Sequence, residues 1–181
     1  QSNPDAMVAA RAEMAQLATK AFSLERFEEW DDVVRADPEA RLVRFYLIMA
    51  LKNAQGPQRM MWKGRGVALA NNARGGSGDR IVEALHNVVP TSLTGMRIGI
   101  AYETMLTSGV TLSLGVPGEY PLAPLSGPAT WLELERALIP PRWRDLKRPV
   151  TRVLRALYGL PRVGADWGEY CRKVLLAHGF E

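Results

Sequence analysis

Two neighbouring stretches with the pattern of β-strands place the strongest constraint on the fold of this chain. The run from Arg41 to Lys52 (RLVRFYLIMALK) is rich in aliphatic and aromatic residues, and the turn signal NAQGP follows it. In the next run, Met61 to Asn71 (MWKGRGVALAN), strand geometry separates two sets of side chains: Lys63, Arg65, Val67 and Leu69 on one side, and Trp62, Gly64, Gly66 and Ala68 on the other. We predict that the two runs pair as a β-hairpin.

The spacing of apolar residues predicts helices in two further parts of the chain. Residues Pro4 to Phe27 have apolar side chains near helical spacing, and Asn3-Pro4 supplies a start. A second helix is predicted from Ser92 to Thr107, stopped by Gly109. Its expected core residues are Leu93, Met96, Ile100, Met105 and Leu106.

The C-terminal part contains two apolar runs separated by Gly159-Leu160-Pro161. Both runs have helix-like spacing. The expected apolar faces are Val150, Val153, Leu154 and Leu157 in the first run, and Trp167, Tyr170, Cys171, Val174 and Leu175 in the second.

The remaining segments either have side chains that alternate in character with period 2, as in a strand, or have the composition of a loop. Val110 to Val116 and Thr130 to Glu135 (TWLELE) are predicted strands. Ala73 to Arg80 (ARGGSGDR) is predicted as a mobile loop, because it lacks the Gly-Lys-Ser/Thr ending of a phosphate-binding P-loop. Helices and strands together predict an α+β chain with mixed helices and antiparallel strands.

Composition predicts an intracellular protein of the cytoplasm or nucleus without a membrane partner. The chain has 181 residues, of which 47% are apolar and 23% charged. No apolar run reaches the roughly 20 residues needed to span a bilayer, and the N-terminus lacks the features of a signal peptide. The single cysteine, Cys171, is consistent with a reducing compartment.

Charge is distributed unevenly along the chain. The segment from Ser23 to Ala40 carries seven acidic and two basic residues, whereas Pro141 to Glu181 carries nine basic and four acidic residues. The basic segment indicates either an anionic partner such as nucleic acid or a solvated surface on a basic helix pair. Charge alone leaves both interpretations open.

One local pattern is more specific. In ALYGLPRVGADWGEYCRKVLLAHGF, Leu157-Tyr158-Gly159-Leu160 is followed by a small-residue turn, an aromatic residue at Trp167 and a closing Gly179-Phe180. This order resembles the reverse transcriptase of copia-type LTR retrotransposons, whose pattern begins Leu-Tyr-Gly-Leu-Lys-Gln. Earlier segments resemble the same family in the same order: AEMAQL, EEWDDVV as a Trp-containing strand, WKGRGVA in a fingers hairpin, ALHNVVPTSLTGMRIGIAYETMLTSG as a palm helix, and TWLELERAL.

The resemblance implies a partial right-hand polymerase fold and a partner set. Residues 1–90 would be mainly fingers-like and residues 91–181 partly palm-like. The intact family copies RNA into DNA with Mg²⁺ and deoxynucleotides, on an RNA or DNA template-primer, as part of a Pol polyprotein.

The departures from the family predict an inactive chain. Gly115 occupies the position of a palm aspartate, and glycine offers no ligand to Mg²⁺. Glu119 is a poor substitute, because Pro117-Gly118 interrupts the strand. The Asp-Asp hairpin of the family would lie beyond Glu181, so we expect a fragment or truncated relic for which no cofactor is expected.

The resemblance also suggests binding residues. Lys63 and Arg65 correspond to fingers bases that approach nucleotide phosphates, although two solvated charges would look the same. Arg162 stands where the family has glutamine and could still meet phosphate. Further nucleic-acid-binding candidates are Arg148, Arg152 and Arg155.

Two alternatives remain open: a non-catalytic nucleic-acid-binding or interaction module, and a decaying transposon remnant without function. We also expect the isolated chain to be marginally stable or to self-associate. The reason is that the strand from Val110 to Val116 would keep an unpaired apolar edge.

Overall fold

The computed structural model describes residues 3–53, 60–82, 93–106, 108–109, 116 and 118–180. These residues form an α+β structure, as predicted. The described helices are α1 (Pro4–Lys20), α2 (Trp30–Ala36), α3 (Leu93–Met105) and α4 (Val163–Ala177). The described strands are β1 (Glu28–Glu29), β2 (Arg41–Lys52), β3 (Met61–Arg74), β4 (Thr130–Glu133) and β5 (Pro149–Arg152). Short 3-10 helices cover Tyr120–Leu122, Arg136–Leu138 and Pro141–Trp143.

The five strands form one mixed sheet in the order β1-β5-β4-β2-β3. The predicted hairpin is confirmed, since β2 and β3 pair antiparallel from Leu42↔Arg74 to Lys52↔Met61, with a register irregularity between Leu42 and Arg44. In contrast, β2 and β4 are parallel. Strands β4 and β5 come from the second half of the chain and join the same sheet as β1 to β3. The predicted boundary at residue 90 lies outside the described residues.

Helix α1 covers one face of the hairpin. It begins as predicted, with the Asn3 side chain accepting hydrogen bonds from the Asp5 and Ala6 amides, but it ends at Lys20 rather than near Phe27. Met14 and Leu17 pack in the main core. Phe22 and Phe27, which follow the helix, are also buried in that core. The chain therefore turns away from the axis of α1 after Lys20.

Two cores lie on opposite faces of the sheet. The main core combines α1 with Phe45, Leu132 and other inward residues of the sheet. A smaller core on the other face joins α2 to β2, β4 and β5. Its members are Trp30, Val33, Ala40, Leu42, Trp131 and Val150. Successive side chains of β4 therefore point into the two cores in turn. The strand ends at Glu133 rather than at the predicted Glu135.

The structure corrects the prediction around Trp30. The segment EEWDDVV is not a Trp-containing strand, because only Glu28 and Glu29 pair, with β5, while Trp30 begins α2. The Trp30 amide donates to the Arg148 carbonyl oxygen, and the side chain is buried. Burial of Trp30 and Val33 against the sheet favours the helical turn at this position.

The first C-terminal apolar run is also corrected, because Pro149–Arg152 is strand β5 and not a helix. Val150, Val153 and Leu157 are buried as expected, but Leu154 is exposed. The second run forms α4, as predicted. In its C-terminal half, however, Val174 and Leu175 are exposed rather than packed.

Helix α3 differs most from its expected role. It ends at Met105, before Gly109, and none of its expected core residues is buried. The exposed side chains are Leu93, Met96, Ile100, Met105 and Leu106. Most of the strand predicted at Val110–Val116, namely residues 110–115, lies outside the described residues.

The Gly-rich segment continues β3 into a compact turn. Ala73 and Arg74 belong to the strand, and Arg74 forms a bridge to Arg80. Within the turn, the Gly75 amide donates to the Asp79 carbonyl oxygen at 2.9 Å. The predicted loop therefore begins later than expected. No helix within the described ranges is long and apolar enough to cross a membrane.

Candidate nucleic-acid interface

One face of the β2–β3 hairpin carries exposed basic, aromatic and aliphatic side chains. On β2, alternation turns Arg44, Tyr46 and Ile48 away from α1. Strand β3 presents Lys63 and Arg65 on the same side, since Arg65 pairs with Ile48 and Lys63 with Ala50 across the strands. We call these five side chains the open face: Arg44, Tyr46, Ile48, Lys63 and Arg65.

Glycines on β3 explain why α1 covers only the opposite side. A Cβ added to Gly66 would lie 2.3 Å from Leu17 Cδ1 and 2.6 Å from Phe45 Cζ. The Gly66 amide also donates to the Glu13 carboxylate at 3.0 Å. Small residues therefore allow the helix to lie close to the strand. The predicted separation of Lys63 and Arg65 from Gly64, Gly66 and Ala68 is confirmed.

The guanidinium of Arg65 is held by an aromatic ring. Its Cζ lies 5.0 Å from the centroid of Tyr158, and the Tyr158 hydroxyl donates to Glu119 Oε1 at 3.2 Å. Tyr120 contacts Tyr158 edge-on, at 4.7 Å between centroids. Burial and the adjacent Glu119 carboxylate raise the pKa of Tyr158 above its ordinary value, so its hydroxyl remains a neutral donor.

The Leu-Tyr-Gly-Leu motif docks against the free edge of β3. The Tyr158 carbonyl oxygen accepts a hydrogen bond from the Ala68 amide at 2.7 Å. Leu157 and Leu160 are buried in the main core. The motif therefore anchors Tyr158 beneath Arg65, and the two residues that the sequence placed far apart meet at one site.

Arg65 and Lys63 retain unneutralised charges. Among the described residues, neither forms an ion pair. The contact between Arg65 and the Tyr158 ring orients a cation without removing its charge. Both side chains are exposed and can meet an anionic ligand.

Arg162 lies on the opposite side of the sheet. Its Nε donates to Ser126 Oγ at 2.9 Å, and Ser126 in turn hydrogen-bonds the Asp166 carboxylate. Arg162 also lines a pocket against Val43 and other residues of the α1 side. The structure therefore separates Arg162 from Lys63 and Arg65.

The three other arginine candidates do not form one cluster. Arg148 makes an ion pair with Glu133 at 2.8 Å. Arg152 lines a pocket beside Trp131, and Arg155 donates to the Leu122 carbonyl oxygen. Only Arg148 lies near the open face, because its partner Glu133 also binds Arg44.

The Mg²⁺ site of the resembled family has no counterpart in the described part of the chain. Its Asp, Glu, His and Cys side chains form no group of three that could hold a metal ion. Glu119 instead accepts the Tyr158 hydroxyl. Gly115 lies outside the described residues.

Sequence reasoning missed Arg44 and Tyr46. The signal was present, because Arg44, Tyr46 and Ile48 alternate along β2 in the same way as the basic residues along β3. Comparisons with protein-family models, with curated proteins and with solved structures find no match. The chemistry of the open face is therefore the main guide to function.

Proposed function

We propose that this chain is part of a copia-type reverse-transcriptase-like protein and that its open face binds a nucleic-acid strand without extending it. The single observation that carries the binding is the open face itself. Three cations, Arg44, Lys63 and Arg65, lie there beside exposed Tyr46. The local resemblance from Leu157 to Phe180 supports the family assignment.

The composition of the open face suits a single strand. Lys and Arg contact phosphates without reading sequence, and this contact supplies most non-specific affinity. An exposed aromatic ring adds stacking worth about 1–3 kcal/mol per base. Tyr46 can stack in this way because its ring is exposed between Arg44 and Ile48.

The proposal includes the finer family features as expectations. These are a fingers-like part at residues 1–90, a palm-like part at 91–181, a template-primer partner, the remainder of a Pol polyprotein, and an intracellular location. It assigns no polymerase activity to the chain, because Gly115 replaces a metal-binding carboxylate. Primer extension with Mg²⁺ and deoxynucleotides should give no incorporation. Incorporation of nucleotides would contradict the proposal that the chain has no polymerase activity.

Binding of a fluorescent single-stranded oligonucleotide across a salt series tests the open face. Lys63→Gln with Arg65→Gln removes two phosphate contacts, so we expect weaker binding and a salt slope shallower by about 1.4 for a single strand. The charge-matched control is Arg11→Gln with Lys20→Gln on α1, which is on the other side of the sheet. Equal loss in both double variants would contradict a site on the open face.

A further inference from the structure

A basic pocket adjoins the open face, with which it shares Arg44, at the end of β2 that is remote from the hairpin turn. The pocket opens between β2, β3, β4 and the residue that precedes β5. Six residues line it: Leu42, Arg44, Asn72, Arg74, Glu133 and Arg148. Three of them are arginines and one is acidic, so the lining carries an excess of two positive charges.

Glu133 orients two of the guanidinium groups. Arg148 donates from Nε to Oε1 at 2.8 Å and from Nη2 to Oε2 at 3.4 Å, while Arg44 donates from Nε to Oε2 at 3.3 Å. Each guanidinium has five N–H donors, so most of those on Arg44 and Arg148 remain for another acceptor. The single carboxylate thus fixes the direction of two cations without neutralising both.

Arg74 is held by a neutral group. Its Nη1 donates to the Gly78 carbonyl oxygen at 2.8 Å, in the turn that follows β3. A carbonyl oxygen positions the Arg74 side chain, but because it is a neutral acceptor it does not neutralise the positive charge of the guanidinium. The amide group of Asn72, which precedes it on β3, adds a neutral donor to the same lining.

We propose that this pocket binds a phosphate group, with Arg44, Arg74 and Arg148 as its ligands and Glu133 as a positioning residue. Guanidinium forks match the oxygen spacing of phosphate and form paired, charge-assisted hydrogen bonds with it. The phosphate could belong to a nucleic-acid backbone or to a small phosphate compound. Both sources present the same oxygens to the three arginines.

The position of the pocket favours a continuous path for a nucleic-acid strand. Arg44 lies four residues from Ile48 along β2, about 13 Å at about 3.3 Å per residue, and Ile48 pairs with Arg65. A strand on the open face could therefore place a phosphate in the pocket. This extension rests on the proposed function, whereas phosphate binding by the pocket does not.

Calorimetric titration of the full chain with inorganic phosphate, at constant ionic strength, tests the pocket. We expect saturable binding that Arg74→Gln weakens at least tenfold and that Asn72→Asp, which adds a carboxylate to the lining, abolishes. The control is Arg80→Gln, because Arg80 is close in sequence, donates to the Asn71 carbonyl oxygen and does not line the pocket. Absence of saturable binding, or an equal loss in the control, would overturn the proposal; circular dichroism confirms that each variant is folded.

An oligonucleotide of about 12 nucleotides and a nucleoside monophosphate distinguish the two sources. If the pocket takes a backbone phosphate, Arg74→Gln weakens oligonucleotide binding and inorganic phosphate competes with it. If it takes a small phosphate compound, the monophosphate binds and the oligonucleotide is unaffected by the variant. Phosphate binding without oligonucleotide binding contradicts only the proposed function, and the reverse result contradicts only the pocket.

Discussion

At the residue scale, Gly159 has two separate reasons to be glycine. Its φ of +93° lies in the left-handed region that other residues rarely adopt. A Cβ added to Gly159 would also lie 2.1 Å from the Ala68 carbonyl oxygen. The close approach of Gly159 to Ala68 on β3 holds the neighbouring Tyr158 ring under Arg65. This glycine therefore supports the geometry of the open face.

Replacing Gly159 by alanine should therefore destabilise the protein strongly. We expect Gly159→Ala to lower the free energy of unfolding by about 3 kcal/mol, from left-handed strain and from overpacking against β3. Gly179→Ala is the control, since Gly179 has a φ of +82° with nothing within 4 Å of an added Cβ. Its cost should be about 1 kcal/mol. Urea unfolding measures both, and equal costs would show that the contact with β3 contributes nothing.

Local patterns predicted some site residues and missed the partners of others. Period-2 alternation correctly placed Lys63 and Arg65 outward. The roles of Arg148 and Arg162 depend on partners distant in sequence, Glu133 and Ser126, which alternation and motif spacing do not indicate. The placement of Tyr158 beneath Arg65 depends on the fold in the same way.

At the scale of elements, the hairpin was predictable because its information is local. Its strands are consecutive and its pattern has period 2. Strand β5 was not predictable in this way, because the spacing of Val150, Val153 and Leu157 also fits a helix. Pairing of Pro149–Arg152 with β4 and β1 selects the extended form, which is a tertiary effect.

The Glu133 carboxylate links β4 to β2 and to the segment before β5. Burial would raise its pKa, but hydrogen bonds and charge from Arg148 and Arg44 outweigh burial and hold the pKa below its ordinary value. The folded state therefore binds this proton less readily than the unfolded chain. The resulting stabilisation is present above about pH 4.3 and is lost as the pH falls through the lower folded value.

Thermal unfolding of the wild-type protein and Glu133→Gln across pH tests this link. At neutral pH we expect the wild-type protein to be more stable by about 1 kcal/mol, a small value because its half-exposed arginine partners are screened by solvent. The difference should shrink as the pH falls below about 4.3. A difference that stays constant down to low pH would contradict an ionised Glu133 as its source.

At the scale of the whole molecule, α3 and the far half of α4 leave large apolar side chains exposed. On α3 these include Ile98 and Ile100, and beyond the middle of α4 they include Leu175 and Leu176. Exposed apolar patches promote association between molecules. We therefore expect the isolated chain to self-associate, for a reason that does not depend on the predicted strand at residues 110–116.

Sedimentation velocity at several protein concentrations measures this association. The sedimentation coefficient should rise with concentration, and Ile100→Lys with Leu176→Lys should reduce the rise. Val8→Lys is the control, because Val8 is an exposed apolar residue that belongs to α1 and to neither of these helices. A coefficient independent of concentration in the wild-type protein would contradict the prediction.

The most direct test of the account is a backbone amide NMR map of where a single-stranded oligonucleotide binds. If the open face is the interface, addition of the oligonucleotide should shift resonances of β2 and β3, with the largest changes around Arg44, Tyr46, Lys63 and Arg65. Amides of α1, on the other side of the sheet, should be little changed. Shifts confined to α1 or α4, or no shifts at low salt, would contradict the assignment of nucleic-acid binding to the open face.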